Sequence, residues 1–113
     1  MKPSEIAKII NAKIVCNSEK EIDLEKAFSS DLMSDVLKLE TDHTVLITGL
    51  ANVQAVRTAE MSDIGCIIFA RNKKVNEDMI RLAMDNDMVL LQTSASVYRT
   101  SGELYRAGLK PVF

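Results

Sequence analysis

Tryptophan is absent, and aromatic residues make up only 4% of the chain. No row of rings is left on which bases could stack, which argues against single-stranded nucleic acid as a partner. A dominant charge is missing too. Lysine and arginine number 14 against 16 aspartates and glutamates, giving a formal charge of −2 with the signs interspersed. Such a surface offers no basic footprint for nucleic acid. No apolar run approaches the roughly 20 residues that span a bilayer. The opening Met1-Lys2-Pro3-Ser4-Glu5 moves straight into an amphipathic pattern, unlike a signal peptide. The expectation is a cytoplasmic protein that meets neither nucleic acid nor membrane.

Reactive side chains are equally scarce. Cys16 and Cys66 lie far apart in apolar, strand-like contexts and form no Cys-x-x-Cys pair. They read as buried, reduced thiols. His43 is the only histidine, beside Asp42 in an expected loop. A zinc site would have to gather both cysteines, this histidine and a carboxylate from remote segments, so no metal ligands are assigned. Nothing resembles Gly-x-x-x-x-Gly-Lys-[Ser/Thr], which excludes phosphoryl chemistry of the P-loop type. No nucleophile–base pair can be assembled from the sequence. No catalytic residue and no cofactor are expected.

What is present is an ordinary globular composition, 47% hydrophobic and 27% charged over 113 residues. That is enough chain for one domain, residues 1–113, with its own core. Lys2 to Ala12 reads as a helix with Ile6, Ile9 and Ile10 on one face and Pro3 in the first turn. Lys13 to Cys16 reads as a strand. Residues 21–29 stay open between strand and loop, with Ala27-Phe28-Ser29 as a possible short strand. Ser30 or Asp31 should cap a helix reaching Leu39, with Leu32, Met33, Val36 and Leu37 as its stripe.

A strand–helix rhythm follows. Thr44 to Thr48 is a strand ending at Gly49; Asn52 caps a helix through Val53, Val56 and Ala59 that Gly65 stops. Cys66 to Ala70 is the next strand, and Asn76 caps a helix with Met79, Ile80, Ala83 and Met84 facing inward. Met88 to Leu91 is another strand, and Ser94 or Ser96 opens a last helix ending near Gly108. The central strands are apolar on both faces, as in a parallel sheet covered by helices on each side. The fold class is therefore α/β, a small, doubly wound, mainly parallel sheet with helices on both faces.

Ligands of such sheets bind beyond the carboxyl ends of the strands. The loops there carry Ser29, Ser30, Asp31, Thr48, Gly49, Asn52, Arg71 and Thr93, a polar rim backed by helix N-termini that favour an anion. The same Ser, Asp and Asn residues also suit helix capping alone. Asp31 and Asp35, four apart on the expected helix, read as a solvated face rather than a catalytic pair. Arg71-Asn72-Lys73-Lys74 is the one cationic cluster, suited to a phosphate or to solvent. On the last helix Tyr98 and Tyr105 are seven apart, hence on one face, and are the candidate interface residues.

Two stretches together resemble the DRTGG domain: Val45-Leu46-Ile47-Thr48-Gly49 followed by a helix with Gln54, and Ile64-Gly65-Cys66-Ile67-Ile68-Phe69 leading to Met88-Val89-Leu90-Leu91-Gln92-Thr93. The segment Ala27 to Leu37 is similar to stand-alone members of that family, which are often named after HPr kinase or found near iron-hydrogenase genes. The Asp-Arg-Thr-Gly-Gly string itself is absent, with Leu50-Ala51-Asn52-Val53 following Gly49. The resemblance implies the fold of the N-terminal domain of HPr kinase/phosphorylase, and a regulatory or assembly module, frequently dimeric. The expected function is thus a non-catalytic, ligand-sensing module, a homodimer taking a small anionic or nucleotide-like ligand. The alternative is an assembly protein docking on a metabolic or redox enzyme without a small ligand.

Overall fold

The computed structural model describes residues 1–39 and 41–113. Among them the elements run in order α1 (Pro3–Ile9), β1 (Lys13–Cys16), β2 (Lys26–Ser29), α2 (Met33–Val36), β3 (Thr44–Thr48), α3 (Val53–Met61), β4 (Cys66–Phe69), α4 (Glu77–Asp85), β5 (Val89–Gln92), α5 (Val97–Ala107) and β6 (Lys110–Pro111). One sheet has the order β1-β5-β4-β3-β2-β6. Every neighbouring pair is parallel except β1 with β5, which is antiparallel and carries a bulge between Ile14 and Cys16. The open segment divides: residues 21–25 form no strand, whereas 26–29 form β2, which pairs along its whole length with β3, Lys26 opposite Thr44 through Ser29 opposite Ile47.

The strand side chains alternate between two cores, as the pleat requires. Leu46, Ile67, Phe69 and Leu90 meet α2, α3 and α4 through Val36, Val56, Ala59, Met79 and Ala83. Val45, Ile47, Ile68, Val89 and Leu91 meet α1 and α5 through Ile6 and Leu104. β3 and β4 are buried at every position. The chain therefore steps from β2 to β5 in one direction with its crossover helices on one face. It then returns over the other face through α5 to place β6 beyond β2.

Four helices end in the same way. The amides of Ala12, Ile64, Met88 and Leu109 donate back to the carbonyls of Ala7, Ala59, Ala83 and Leu104 at 2.8, 2.8, 2.9 and 3.1 Å. The residue before each amide is left-handed: Asn11 (φ 51°), Asp63 (φ 57°), Asp87 (φ 54°) and Gly108 (φ 112°). This is the Schellman arrangement, which ties up orphan carbonyls and turns the chain sharply toward the next strand. Gly65, expected to stop α3, does not do so. Asp63 takes the left-handed position two residues earlier, a role a short polar side chain tolerates better than most.

The second helix also departs from expectation. α2 is only four residues long, and its N-cap position is Leu32, with no side-chain cap. The Ser30 hydroxyl is engaged with the Leu32 backbone instead, and the Asp31 carboxylate reaches away to Gly49 and Thr48. Asp31 therefore lies outside the helix that carries Asp35. Beyond Val36 the amides of Lys38 and Leu39 reach back only three residues, so the helix does not continue to Leu39. Met33 and Val36 are buried, whereas Leu32 and Leu37 are 58% and 54% exposed, because so short a helix turns only one edge inward. Met84, expected to face inward on α4, is 65% exposed, while Met79 and Ala83 fill that role. Asn52, Asn76 and Ser96 each cap a helix, accepting from Ala55, Met79 and Arg99 amides.

The left-handed stops differ in their supports. The Asp87 carboxylate also accepts from the Ser18 hydroxyl (2.7 Å) and the Glu19 amide (3.1 Å). Replacing Gly108 by alanine forces a Cβ into the left-handed region and should cost about 1–2 kcal/mol. Asp63→Gly relieves the same strain and should raise stability by up to about 1 kcal/mol. Asp87→Gly should bring no such gain, because it removes the contacts to Ser18 and Glu19. Urea unfolding of the three variants checks the order.

Candidate functional site

The carboxyl ends of β2, β3, β4 and β5 open on one edge of the sheet, and their loops are laced together by backbone hydrogen bonds. The Ser30 amide donates to the Ile47 carbonyl, Ala70 to Thr48, and Thr93 to Phe69. Beyond β4 the chain turns through Arg71 and Asn72, both left-handed, with φ of 65° and 55°. Two consecutive non-glycine residues in that region are held there by tertiary bonds: the Arg71 amide donates to Ala95 at 2.7 Å and the Asn72 amide to Thr93 at 3.0 Å. This turn aims the Arg71 side chain back across the end of β3.

Gly49 lies under that side chain. A Cβ built on Gly49 would stand 2.9 Å from Arg71 Cδ and 3.2 Å from a guanidinium nitrogen. The lack of a side chain at Gly49 lets the arginine lie this close, and its φ is not in the left-handed region. From the other side Asp31 Oδ1 accepts the Gly49 amide at 2.7 Å and the buried Thr48 hydroxyl at 3.0 Å. The Thr48 oxygen in turn accepts the Leu50 amide at 3.1 Å. Asp31, Thr48, Gly49 and Arg71 thus converge from three loops. The arrangement leads directly into the N-terminus of α3, where Asn52 supplies the cap.

The other predicted residues sit elsewhere. Ser29 points to the opposite face, where its hydroxyl meets that of Ser101 on α5 at 2.6 Å. Ser30 turns the chain toward α2. Thr93 is buried and pins α1 to the β5 loop, donating to the Ile10 carbonyl at 3.1 Å and accepting the Ala95 amide at 3.2 Å. Tyr98 and Tyr105 stand on the outer face of α5, 88% and 69% exposed.

Residues suited to redox or metal chemistry do not join this edge. Cys66 is buried at the start of β4, and burial pushes its thiol far above the usual range. Cys16 is buried in β1, its thiol raised by burial and then by the Asp87 charge. His43 Nδ1 lies 3.0 Å from the Asp23 carbonyl, beside the N-terminus of β3. Among the described residues no group of three or more His, Cys, Asp or Glu side chains could hold a metal ion. No described helix is long and apolar enough to cross a membrane.

Sequence reading missed a groove of about 400 Å³ on the other face of the same edge, between the end of α1 and the start of α5. Its wall includes Ile9, Thr93, Ser94, Arg99, Thr100 and Glu103. The available signal was Thr100 itself, a polar residue on the line of Val97 and Leu104 that faces the core.

No profile of a known protein family and no curated protein matches the chain. A solved structure does match in shape: the crystal structure of the CBS and DRTGG domains of the regulatory region of Clostridium perfringens pyrophosphatase, complexed with the activator diadenosine tetraphosphate. The superposition has a TM-score of 0.79 at 14% identity and covers 97% of this chain. The chain corresponds to 47% of the length of that one. At this identity the likeness speaks for the fold, and together with the parallel order β2 to β5 it makes this an α/β chain with a DRTGG-like fold.

Proposed function

We propose that the chain is a non-catalytic regulatory module that senses a small anionic, nucleotide-like ligand at the carboxyl edge of its sheet. The observation that carries the reading is the seating of Arg71 across Gly49 beside the N-terminus of α3. A guanidinium and the positive end of a helix there favour the same charge on a ligand. Asp31 acts as the strut of this site, since its carboxylate fixes the Gly49 amide and the Thr48 hydroxyl. Ser30, Asn52 and Thr93 shape the loops around it. The fold match supports the regulatory part of the reading, because that neighbour belongs to a regulatory region crystallised with a dinucleotide activator. A non-catalytic role fits the geometry, in which the carboxylate and hydroxyl at the site hold each other and the backbone.

A thermal-shift screen against nucleotides and phosphorylated metabolites checks the proposal, because a ligand that binds only the folded chain raises its midpoint. One class of anion should raise the midpoint of the parent protein and leave Arg71→Ala unmoved. A screen with no rise for any such compound argues against it. Asp31→Ala should in addition lower intrinsic stability by about 1–3 kcal/mol, by orphaning the Gly49 amide and the buried Thr48 hydroxyl. Asp31→Asn, which keeps an acceptor oxygen, should lose less.

A second reading, a homodimer or a docking module for a metabolic enzyme, draws on the exposure of Tyr98 and Tyr105 along one face of α5. If that face is a dimer contact, Tyr98→Glu with Tyr105→Glu should halve the mass seen by light scattering. An unchanged mass removes the tyrosines from the contact.

A further inference from the structure

The groove between α1 and α5 contains a polar group that the fold leaves without a partner. Thr100 is fully buried and lines the groove, and its hydroxyl has no hydrogen bond among the described residues. A helical Ser or Thr can return its hydroxyl to the carbonyl four residues earlier. Ser101, the next residue, does so, donating to Val97 at 2.7 Å. Thr100 does not, although its amide donates normally to the Ser96 carbonyl. Buried polar groups are nearly always paired, so an unpaired one beside an open groove points to a ligand that completes it.

The surrounding groups narrow the chemistry. Arg99, adjacent in sequence, lines the groove at the first turn of α5 and forms no ion pair among the described residues. Guanidinium and helix N-terminus together suit a phosphate. One turn on, the Glu103 carboxylate is steadied by Arg106 at 3.4 Å and offers acceptors to hydroxyl groups. Ser94 adds a hydroxyl at the mouth. Ile9, Ile10 and Ala95 contribute a small apolar wall against which the carbon skeleton of such a ligand can lie. The Thr93 hydroxyl is already satisfied and serves to tie the end of α1 to the β5 loop at a fixed spacing.

The geometry points to a second ligand site, separate from the Arg71 cluster, that binds a small phosphorylated sugar or polyol in the α1–α5 groove. The phosphate lies at Arg99 and the start of α5, and the hydroxyl groups reach Thr100 and Glu103. This site does not depend on the Arg71 proposal, and the two are told apart by which variant loses binding.

Calorimetry of the full chain with ribose 5-phosphate and glycerol 3-phosphate, and with unphosphorylated ribose, tests it. Binding of at least one phosphorylated compound is expected, with none for ribose. Thr100→Val and Arg99→Ala should each weaken binding roughly tenfold or more, while Arg71→Ala leaves it intact. Thr100→Val should also raise the thermal midpoint of the unliganded protein, since it removes an unpaired buried hydroxyl without changing shape. That second readout shows that the variant folds and that the hydroxyl lacks an internal partner. No heat with either phosphorylated compound overturns the site. So does binding that survives Thr100→Val and Arg99→Ala, or binding that Arg71→Ala abolishes.

Discussion

Everything in this fold follows from burying both faces of β3, β4 and β5. A parallel strand cannot be joined to its neighbour by a hairpin, so each must be followed by a crossover that lies on the sheet. The helices available are short, from four to eleven residues. Each has to be stopped and reversed within a residue or two for the next strand to begin in register. The left-handed residues Asn11, Asp63, Asp87 and Gly108 do this. Behind each comes an amide that closes the helix, and Ile64, Met88 and Leu109 place a buried side chain at the start of a strand or just before it.

Much of this could be read from residue order, and the exceptions have physical causes. Continuous apolar runs such as Val45-Leu46-Ile47 and Cys66-Ile67-Ile68-Phe69 announce buried parallel strands, and both are. Asn52 and Asn76 announce helix starts because a short acceptor ahead of an amphipathic run has little else to do. Asp31 misleads for the opposite reason. A carboxylate ahead of Met33 is a plausible cap, yet the parallel pairing of β2 with β3 brings the Gly49 amide within its reach. The stop of α3 at Asp63 is hidden because a glycine two residues on is the more obvious candidate. Leu32, Leu37 and Met84 fail because periodicity gives the phase of a helix but not the width of its neighbour.

The carboxyl edge shows the same division. That the loops after β3 and β4 lie together follows from a parallel sheet, so Gly49 and Arg71 could be named as candidates in advance. That the arginine lies across the glycine depends on two left-handed residues and on bonds from loop to loop, which sequence order does not display. The α1–α5 groove is less legible still. It exists only because α5 recrosses the sheet beside α1, and its one clue is a threonine in an otherwise apolar line.

The two outer strands bear on how the protein meets other chains. β1 runs against the direction of the rest and is broken by a bulge, while β6 is two residues long and contains Pro111, which has no amide to donate. Lysines sit on both, Lys13 and Lys110. Neither margin presents an unbroken ladder of donors and acceptors, so continuing the sheet into a neighbouring molecule is unfavourable on both sides. Surface open to another protein is left on the helical faces and the loop-bearing edge, and the apolar core strands of a partly unfolded chain, not the margins of the native sheet, carry the risk of fibrous assembly.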